Sequence, residues 1–190
     1  MVMLSMDMQF RVEKDFLGEK QLPVEAYYGI NTVRAVENFP ISGVPIHAEL
    51  ISALGEVKKA AALANMELGL LPKKIGSAII EASDEIIAGN LRSEFIVDSI
   101  QGGAGTSINM NMNEVLANRA LELLGKQKAE YFYCNPNNHV NMSQSTNDAI
   151  PTAIRIASYR LTQDLLGVFR TLVAGIQDKA KEFDDVIKMG

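Results

Sequence analysis

Two polar segments carry the residues of this sequence that are best suited to binding and chemistry. The first is the glycine-rich run 101–106, which ends in Thr106 and is followed by Ser107 at the start of a predicted helix. Glycines let a ligand approach the backbone closely, and the first turn of a helix has free N–H groups and a positive dipole end. The segment predicts an anion site; a helix cap with a glycine-rich lead-in is the alternative. It matches neither the phosphate-loop motif nor the dinucleotide fingerprint.

The second polar segment spans residues 139–148 and directly precedes a long predicted helix. Asn147 or Asp148 could simply cap that helix, but a cap needs only one side chain and most residues of the segment are polar. Short uncharged donors at two helix starts suit the recognition of carboxylates without a buried cation. The residues alone therefore predict a small dianion held between two helix N-termini.

Other residues that could take part in catalysis have simpler structural explanations. His139 could be a general base, but we interpret it as a structural histidine because spacing identifies no carboxylate or hydroxyl partner for it. Cys134 could be a nucleophile, but it is interpreted as a small buried hydrophobe, and His47 as structural. The helix after the first segment also holds three alternating asparagines, Asn109, Asn111 and Asn113. On a helix they cannot share one face, so at most some of them reach a ligand.

Apolar residues at three- and four-residue intervals predict the elements that must position both segments. The predicted helices cover residues 47–68, 72–88 and 107–124. The remaining stretches are predicted to be irregular, namely 1–46, with a possible short strand at 9–12, and the loop 126–149. This pattern predicts a mainly α fold, with helical spacing as its dominant signal.

The strongest helical pattern covers residues 152–187 and is opened by Pro151. A helix of that length would extend roughly 54 Å at about 1.5 Å per residue. None of the other predicted helices is long enough to cover it. Its partner is therefore expected from another subunit or from sequence outside these residues.

Composition narrows the range of partners. The net charge is −5 and there is no block of Lys or Arg, which argues against nucleic acid and anionic membranes. The single cysteine excludes a disulfide within the chain and a multi-cysteine metal site, and it fits a reducing cytoplasm. No apolar run reaches the ~20 residues that span a bilayer, and the first ten residues make a poor signal peptide. No cofactor and no metal are expected.

Several segments in order resemble the fumarase/aspartase superfamily, over essentially the whole chain. They are Glu13–Gly18, Ala26–Thr32, Arg34–Pro40, Gly102–Glu114 and His139–Asp148. The residues Lys14–Leu17, Tyr27–Tyr28 and His139 are more similar to aspartases than to class II fumarases. The departures at Asn31 and Asn138 weaken only the expectation of a secondary anion site near 135–138. The resemblance implies an N-terminal helical domain (1–149) plus the first long helix of a central helical bundle (150–190), with possible short N-terminal strands.

The resemblance also implies a reaction, the reversible loss of ammonia from L-aspartate to give fumarate through an aci-carboxylate intermediate. Thr106, Ser145 and Thr146 match positions that hold the β-carboxylate, and Asn147 matches a position that contacts the amino group. The catalytic base is expected to be a serine downstream of Gly190, so the 190 residues alone are expected to be inactive. The family implies a homotetramer whose active sites each draw on three subunits. The alternatives are a class II fumarase acting on malate and a non-catalytic helical assembly module.

Overall fold

The computed structural model describes residues 9–190, and its first element is a β-hairpin. Strand β1 (Phe10–Asp15) pairs antiparallel with β2 (Gly18–Pro23), so the strand expected at 9–12 is confirmed as part of β1. An isolated hairpin is marginally stable, and here the Arg11 guanidinium ties it to the chain that follows, with bonds to the carbonyls of Ala26 and Tyr28 at 2.7 Å. The expectation that the first ten residues make a poor signal peptide falls mostly on residues 1–8, which lie outside the described part of the chain.

The expectation that 1–46 is otherwise irregular is wrong for helix α1 (Ile30–Asn38). Nine residues are too few to display a clear repeat, and no side chain of its own segment caps its N-terminus. Two carboxylates from elsewhere in the chain cap it instead: Glu114 accepts the backbone N–H groups of Asn31 and Thr32, and Glu13 of β1 accepts that of Ile30. A helix start that depends on a residue some 80 positions away has no local signal.

Three further helices build the core, and all three were predicted to within one or two residues. They are α2 (Ala48–Glu67), α3 (Lys73–Ile87) and α4 (Thr106–Leu123). Helix α4 packs against α1, α3 and a π-helical turn at Pro136–Val140, and most of its residues are buried. A helix buried on all sides is central to its fold, so α4 is the rigid support for whatever lies at its N-terminus.

The long helix α5 (Thr146–Glu182) begins earlier than predicted and ends earlier. Pro151 lies inside it and does not open it. The proline lacks the N–H that would meet the carbonyl of Asn147, so only one bond of the second turn is lost. The loop predicted over 126–149 accordingly contains the first turn of α5 as well as the π-helical turn.

Helix α5 changes surroundings along its length. Its first turns bury Ala149, Ile150, Ala153 and Ala157 and pack on α2, whereas all residues from 158 onward are exposed. The exposed part carries a row of large apolar side chains at helical spacing: Leu161, Leu165, Val168, Leu172 and Ile176. Within residues 9–190 nothing covers this row, as expected from the length of the helix.

Candidate functional site

The N-termini of α4 and α5, which carry the two polar segments, lie against each other. Gly105, the N-cap of α4, has a φ of +87°, and a Cβ placed there would come within 2.8 Å of Ile150 Cγ2. The absence of a side chain is therefore what lets the two helix ends approach. A direct bond joins them, since Asn109 Nδ2 donates to Thr146 Oγ1 at 3.2 Å. Two segments separated by about 40 residues in sequence thus share one site.

The start of α4 leaves donors available. Gly105 has no side chain to accept the first N–H groups of the helix, and Gln101 Oε1 accepts only that of Ile108, at 2.8 Å. Thr106 occupies the first helical position and is exposed, and Ser107 follows it. Free N–H groups at the positive end of a helix favour a bound anion, and the anion site at this helix end stays a prediction.

The start of α5 is closed by a capping box. Ser145 Oγ accepts the N–H of Asn147 at 3.1 Å, and the Asp148 carboxylate accepts the N–H of Ser145 at 3.4 Å. The N-cap is therefore Ser145. Of the two residues considered as alternative caps, Asp148 takes part in the capping box from the third helical position, and Asn147 only donates its N–H to it. Ser145 uses an oxygen lone pair for the cap, which leaves its O–H free to donate.

Three of the four predicted binding residues lie at the start of α5, and the fourth lies at the start of α4. Ser145, Thr146 and Asn147 are consecutive at the start of α5, where Ser145 and Asn147 are exposed and Thr146 is half-buried. Thr106 lies at the start of α4, on the neighbouring helix end. Their roles in binding stay a prediction, but the fold brings both sources of donors together.

An open groove of about 810 Å³ runs beside the site, between the glycine-rich segment and α5. Its lining is mostly apolar and includes Leu50, Ile150 and Ile154, with Ser99, Gln101 and Arg155 as polar members. None of Ser145, Thr146 and Asn147 lines it. The groove therefore adjoins the cluster of donors and does not contain it.

A buried lysine, missed by the sequence analysis, lies behind the α5 segment. Lys58 of α2 has no exposed surface, and its ammonium donates to Asn141 Oδ1 and Gln144 Oε1, both at 2.9 Å. Burial lowers the pKa of Lys58 to about 7. The only available signal was positional: Lys58 follows Leu54 by four residues on the face that α2 buries. Lys58 donates to two amide oxygens of the protein, so recognition of a carboxylate by the uncharged donors themselves stays a prediction.

The alternating asparagines divide between two faces, as predicted. Asn109 and Asn113 both donate to Asn141 Oδ1, at 3.2 Å each. Asn111 points elsewhere and donates to the backbone carbonyl of Glu94 at 2.9 Å. All three are buried, and in the described chain the side-chain oxygen of each has no hydrogen-bond partner. The position of each amide is therefore set at its nitrogen end.

The structural interpretations of the histidines and the cysteine agree with the geometry. His139 Nδ1 accepts the N–H of Asn135 at 2.8 Å, and burial lowers the pKa of this imidazole. His47 Nδ1 accepts the N–H of Glu49 and so caps α2. Cys134 is fully buried, and burial raises the pKa of its thiol to about 12, so it is no thiolate at neutral pH.

Two further features of the described residues bear on the class of site. In the range 9–190, no group of three or more His, Cys, Asp or Glu side chains is arranged to hold a metal ion. No described helix combines the length and the apolar character needed to cross a membrane.

Comparison with known proteins identifies the class to which this fold and site belong. The sequence model of a family described as lyase matches residues 18–190, and the chain belongs to this lyase family. It is 60% identical over 185 residues to an aspartate ammonia-lyase of Bacillus sp. and 57% identical over 188 residues to that of Bacillus subtilis (strain 168). These alignments cover 97% and 99% of the chain but only 40% of each relative, so the chain spans about 40% of their length.

Solved structures show the same fold. The native form of a fumarate lyase:delta crystallin from Brucella melitensis superposes with a TM-score of 0.91 at 50% identity, covering 96% of this chain and 43% of that one. A class II fumarase from Schistosoma mansoni superposes with a TM-score of 0.72 at 36% identity, covering 78% and 32%. The mainly α fold expected from the resemblance is confirmed.

Proposed function

We propose that this protein is an aspartate ammonia-lyase, which eliminates ammonia from L-aspartate to give fumarate and also catalyses the reverse addition. The observation that carries the proposal is the pairing of two helix N-termini through the Asn109–Thr146 bond, with Thr106 at the start of one helix and Ser145 and Thr146 at the start of the other. The high identity to curated aspartate ammonia-lyases supports the choice of reaction.

The proposed chemistry uses the donors of this site to stabilise negative charge. A base removes a proton from the β-carbon of aspartate, and the electron pair moves into the adjacent carboxylate, which becomes an aci-carboxylate dianion. The pair then returns to form the double bond as the C–N bond breaks and ammonia leaves. Hydroxyl and N–H donors at two helix ends bind the dianion more strongly than the substrate carboxylate, which lowers the barrier.

The roles of individual residues follow from their places at the helix ends. We assign Thr106, Ser145 and Thr146 to the β-carboxylate and Asn147, exposed at the first turn of α5, to the amino group. The base is assigned to a serine outside residues 1–190, in the part of the relatives' length that this chain does not span. Residues 1–190 by themselves are accordingly predicted to be inactive, and turnover by them alone would contradict that assignment.

The assembly proposed here is a homotetramer in the cytoplasm. The exposed apolar row of α5, from Leu161 to Ile176, supports it, because equivalent helices of other subunits would cover these side chains. Sedimentation of the product of the complete reading frame measures the mass directly. A monomer at micromolar concentration would rule out this assembly.

The test of function follows fumarate by ultraviolet absorbance with L-aspartate and, separately, with L-malate. Fumarate from aspartate alone supports the proposal. Fumarate from malate alone would identify a class II fumarate hydratase. This alternative is supported by the structural likeness to the Schistosoma mansoni fumarase. A non-catalytic assembly module would release fumarate from neither, and succinate would not raise its melting temperature.

A further inference from the structure

Lys58 determines the orientation of two amide side chains beside the proposed site. Its ammonium is enclosed by protein, and in the described chain its two side-chain acceptors are the neutral oxygens of Asn141 and Gln144. An ammonium group can only donate hydrogen bonds, and the neutral amine left after loss of a proton still has two N–H donors, one for each of these oxygens. Both amides must therefore turn their oxygen toward Lys58 and their nitrogen away from it.

The nitrogen ends of these two amides hold the turn that leads into α5. Asn141 Nδ2 donates to the backbone carbonyl of Gln144 at 3.1 Å, and Gln144 Nε2 donates to those of Val140 and Met142 at 2.9 and 3.2 Å. The turn includes Ser143 at a φ of +58°, a conformation that a non-glycine residue adopts only when its surroundings require it. Lys58 thereby supports the backbone immediately before the N-cap of α5.

The same orientation is passed on to the hydroxyl of Thr146. Because Asn141 presents its oxygen, Asn109 must turn its nitrogen toward Asn141, and that nitrogen also donates to Thr146 Oγ1. Asn109 Oδ1 has no partner in the described chain, so nothing at that end opposes this orientation. Thr146 Oγ1 accepts from Asn109, and its own proton is left to donate to another group.

We propose that Lys58 is a positioning residue that makes the Thr146 hydroxyl a donor to the bound carboxylate, acting through Asn141 and Asn109. The inference rests on the proposed dicarboxylate site. Without an N–H donor at position 58, Asn141 can reverse its amide and Asn109 then presents its oxygen to Thr146. The threonine proton would be used inside the protein and lost to the ligand.

The first test replaces Asn109, because Asn109→Leu removes the link and leaves Lys58 in place. The matched control is Asn111→Leu, since Asn111 is equally buried, also has an unpartnered oxygen and does not contact Thr146. In N109L no group at position 109 orients the Thr146 hydroxyl, so its proton is no longer directed at the ligand. In the protein from the complete reading frame, we expect this variant to raise the dissociation constant for succinate about tenfold, the effect of weakening one hydrogen bond to a charged group. N111L should leave it within about threefold.

A double-mutant cycle tests whether Asn109 acts through Thr146. If it does, Thr146→Val weakens succinate binding strongly on its own and only slightly when added to N109L. Fully additive effects would overturn the relay. Lys58→Met should raise the dissociation constant for succinate as much as N109L does, and Lys59→Met is the control on the adjacent residue. If K58M does not fold, N109L and the double-mutant cycle still decide the question.

The affinity of the folded variants for succinate distinguishes a positioning role of Asn109 from a purely structural one. A structural role alone would lower the unfolding midpoints of N109L and N111L alike and leave both affinities unchanged, which would refute the inference. If the unmodified protein neither binds succinate nor releases fumarate from aspartate, the proposed function fails and the inference falls with it. Unmodified protein that binds succinate, together with an N109L that binds equally well, would refute the inference alone.

Discussion

The carboxylate of Glu114, in the centre of α4, accepts a 2.6 Å hydrogen bond from the hydroxyl of Thr32 in the first turn of α1. It also accepts the N–H groups of Gly29, Asn31 and Thr32 and the side-chain amide of Asn31, at 2.9 to 3.0 Å. Burial raises the pKa of Glu114, and these donors act in the opposite direction. This buried carboxylate thus caps α1 together with Glu13, which accepts the N–H of Ile30 at 3.0 Å, and it joins the N-terminal region to the central helix.

Glu114→Gln should therefore be strongly destabilising. The amide nitrogen would face N–H groups that need an acceptor, and we expect a loss of about 2–4 kcal/mol in the free energy of unfolding. Urea denaturation of the protein from the complete reading frame measures it. Glu67→Gln, at an exposed residue near the end of α2, is the control and should stay within about 0.5 kcal/mol of the unmodified protein. Equal midpoints for the two variants would contradict the role given to Glu114.

Gly105→Ala should separate the two helix N-termini. Position 105 combines a positive φ with a Cβ position 2.8 Å from Ile150, so the substitution costs both backbone strain and a steric contact. Gly125→Ala is the matched control, because Gly125 has a φ of +71° and open space around it. We expect G125A to lose about 1 kcal/mol and G105A more, and only G105A to bind succinate more weakly. If both variants lose the same stability and bind succinate as the unmodified protein does, the close contact between position 105 and Ile150 does not control the binding site.

Ser145 has two separable roles, as the cap of α5 and as a proposed carboxylate donor. Ser145→Ala removes both the cap and the donor, and we expect it to lower stability by about 1 kcal/mol. Ser145→Gly also removes the hydroxyl but is a tolerated cap, so it should cost only a few tenths of a kcal/mol. Both variants should lower kcat/KM for aspartate to the same degree. If S145A loses more kcat/KM than S145G, in proportion to its greater loss of stability, Ser145 only caps the helix.

The buried ammonium of Lys58 predicts a specific dependence of stability on pH. Its pKa is lowered to about 7 in the folded protein, whereas an unfolded lysine has a pKa near 10.4. Between these values the unfolded state binds a proton that the folded state does not, so stability rises with pH from about 7 to about 10. Below pH 7 both states are protonated, and the cost of burying the charge is fully present.

The difference in unfolding free energy between the unmodified protein and Lys58→Met should therefore grow with pH, by at most about 1.4 kcal/mol per pH unit in that window. Denaturant titrations at pH 6, 7, 8, 9 and 10 measure the difference. Lys59→Met controls for the loss of a positive charge on α2, because Lys59 is partly exposed and paired with Asp84. A constant difference from pH 7 to pH 10 would show that Lys58 does not lose its proton on folding in this range.

The elements predicted correctly are those whose signal is local. The apolar spacing of α2 and α3 and the glycine-rich lead-in to α4 lie within a few residues of the helices they define. Helix α1 was missed because its capping carboxylates come from β1 and α4. The start of α5 was misplaced because a proline was interpreted as a first-turn residue. The capping box at Ser145–Asp148 was the stronger local signal.

The sequence by itself determined the mainly α class, the positions of the core helices and the two segments rich in donors, because helical periodicity and cap chemistry are properties of neighbouring residues. Only the tertiary structure decided that Gly105 meets Ile150, that Asn109 reaches Thr146 and that Lys58 is buried behind Asn141. These contacts join residues some 30 to 80 positions apart. Their geometry depends on how whole helices pack, since no short stretch of sequence specifies the distance between two helix ends.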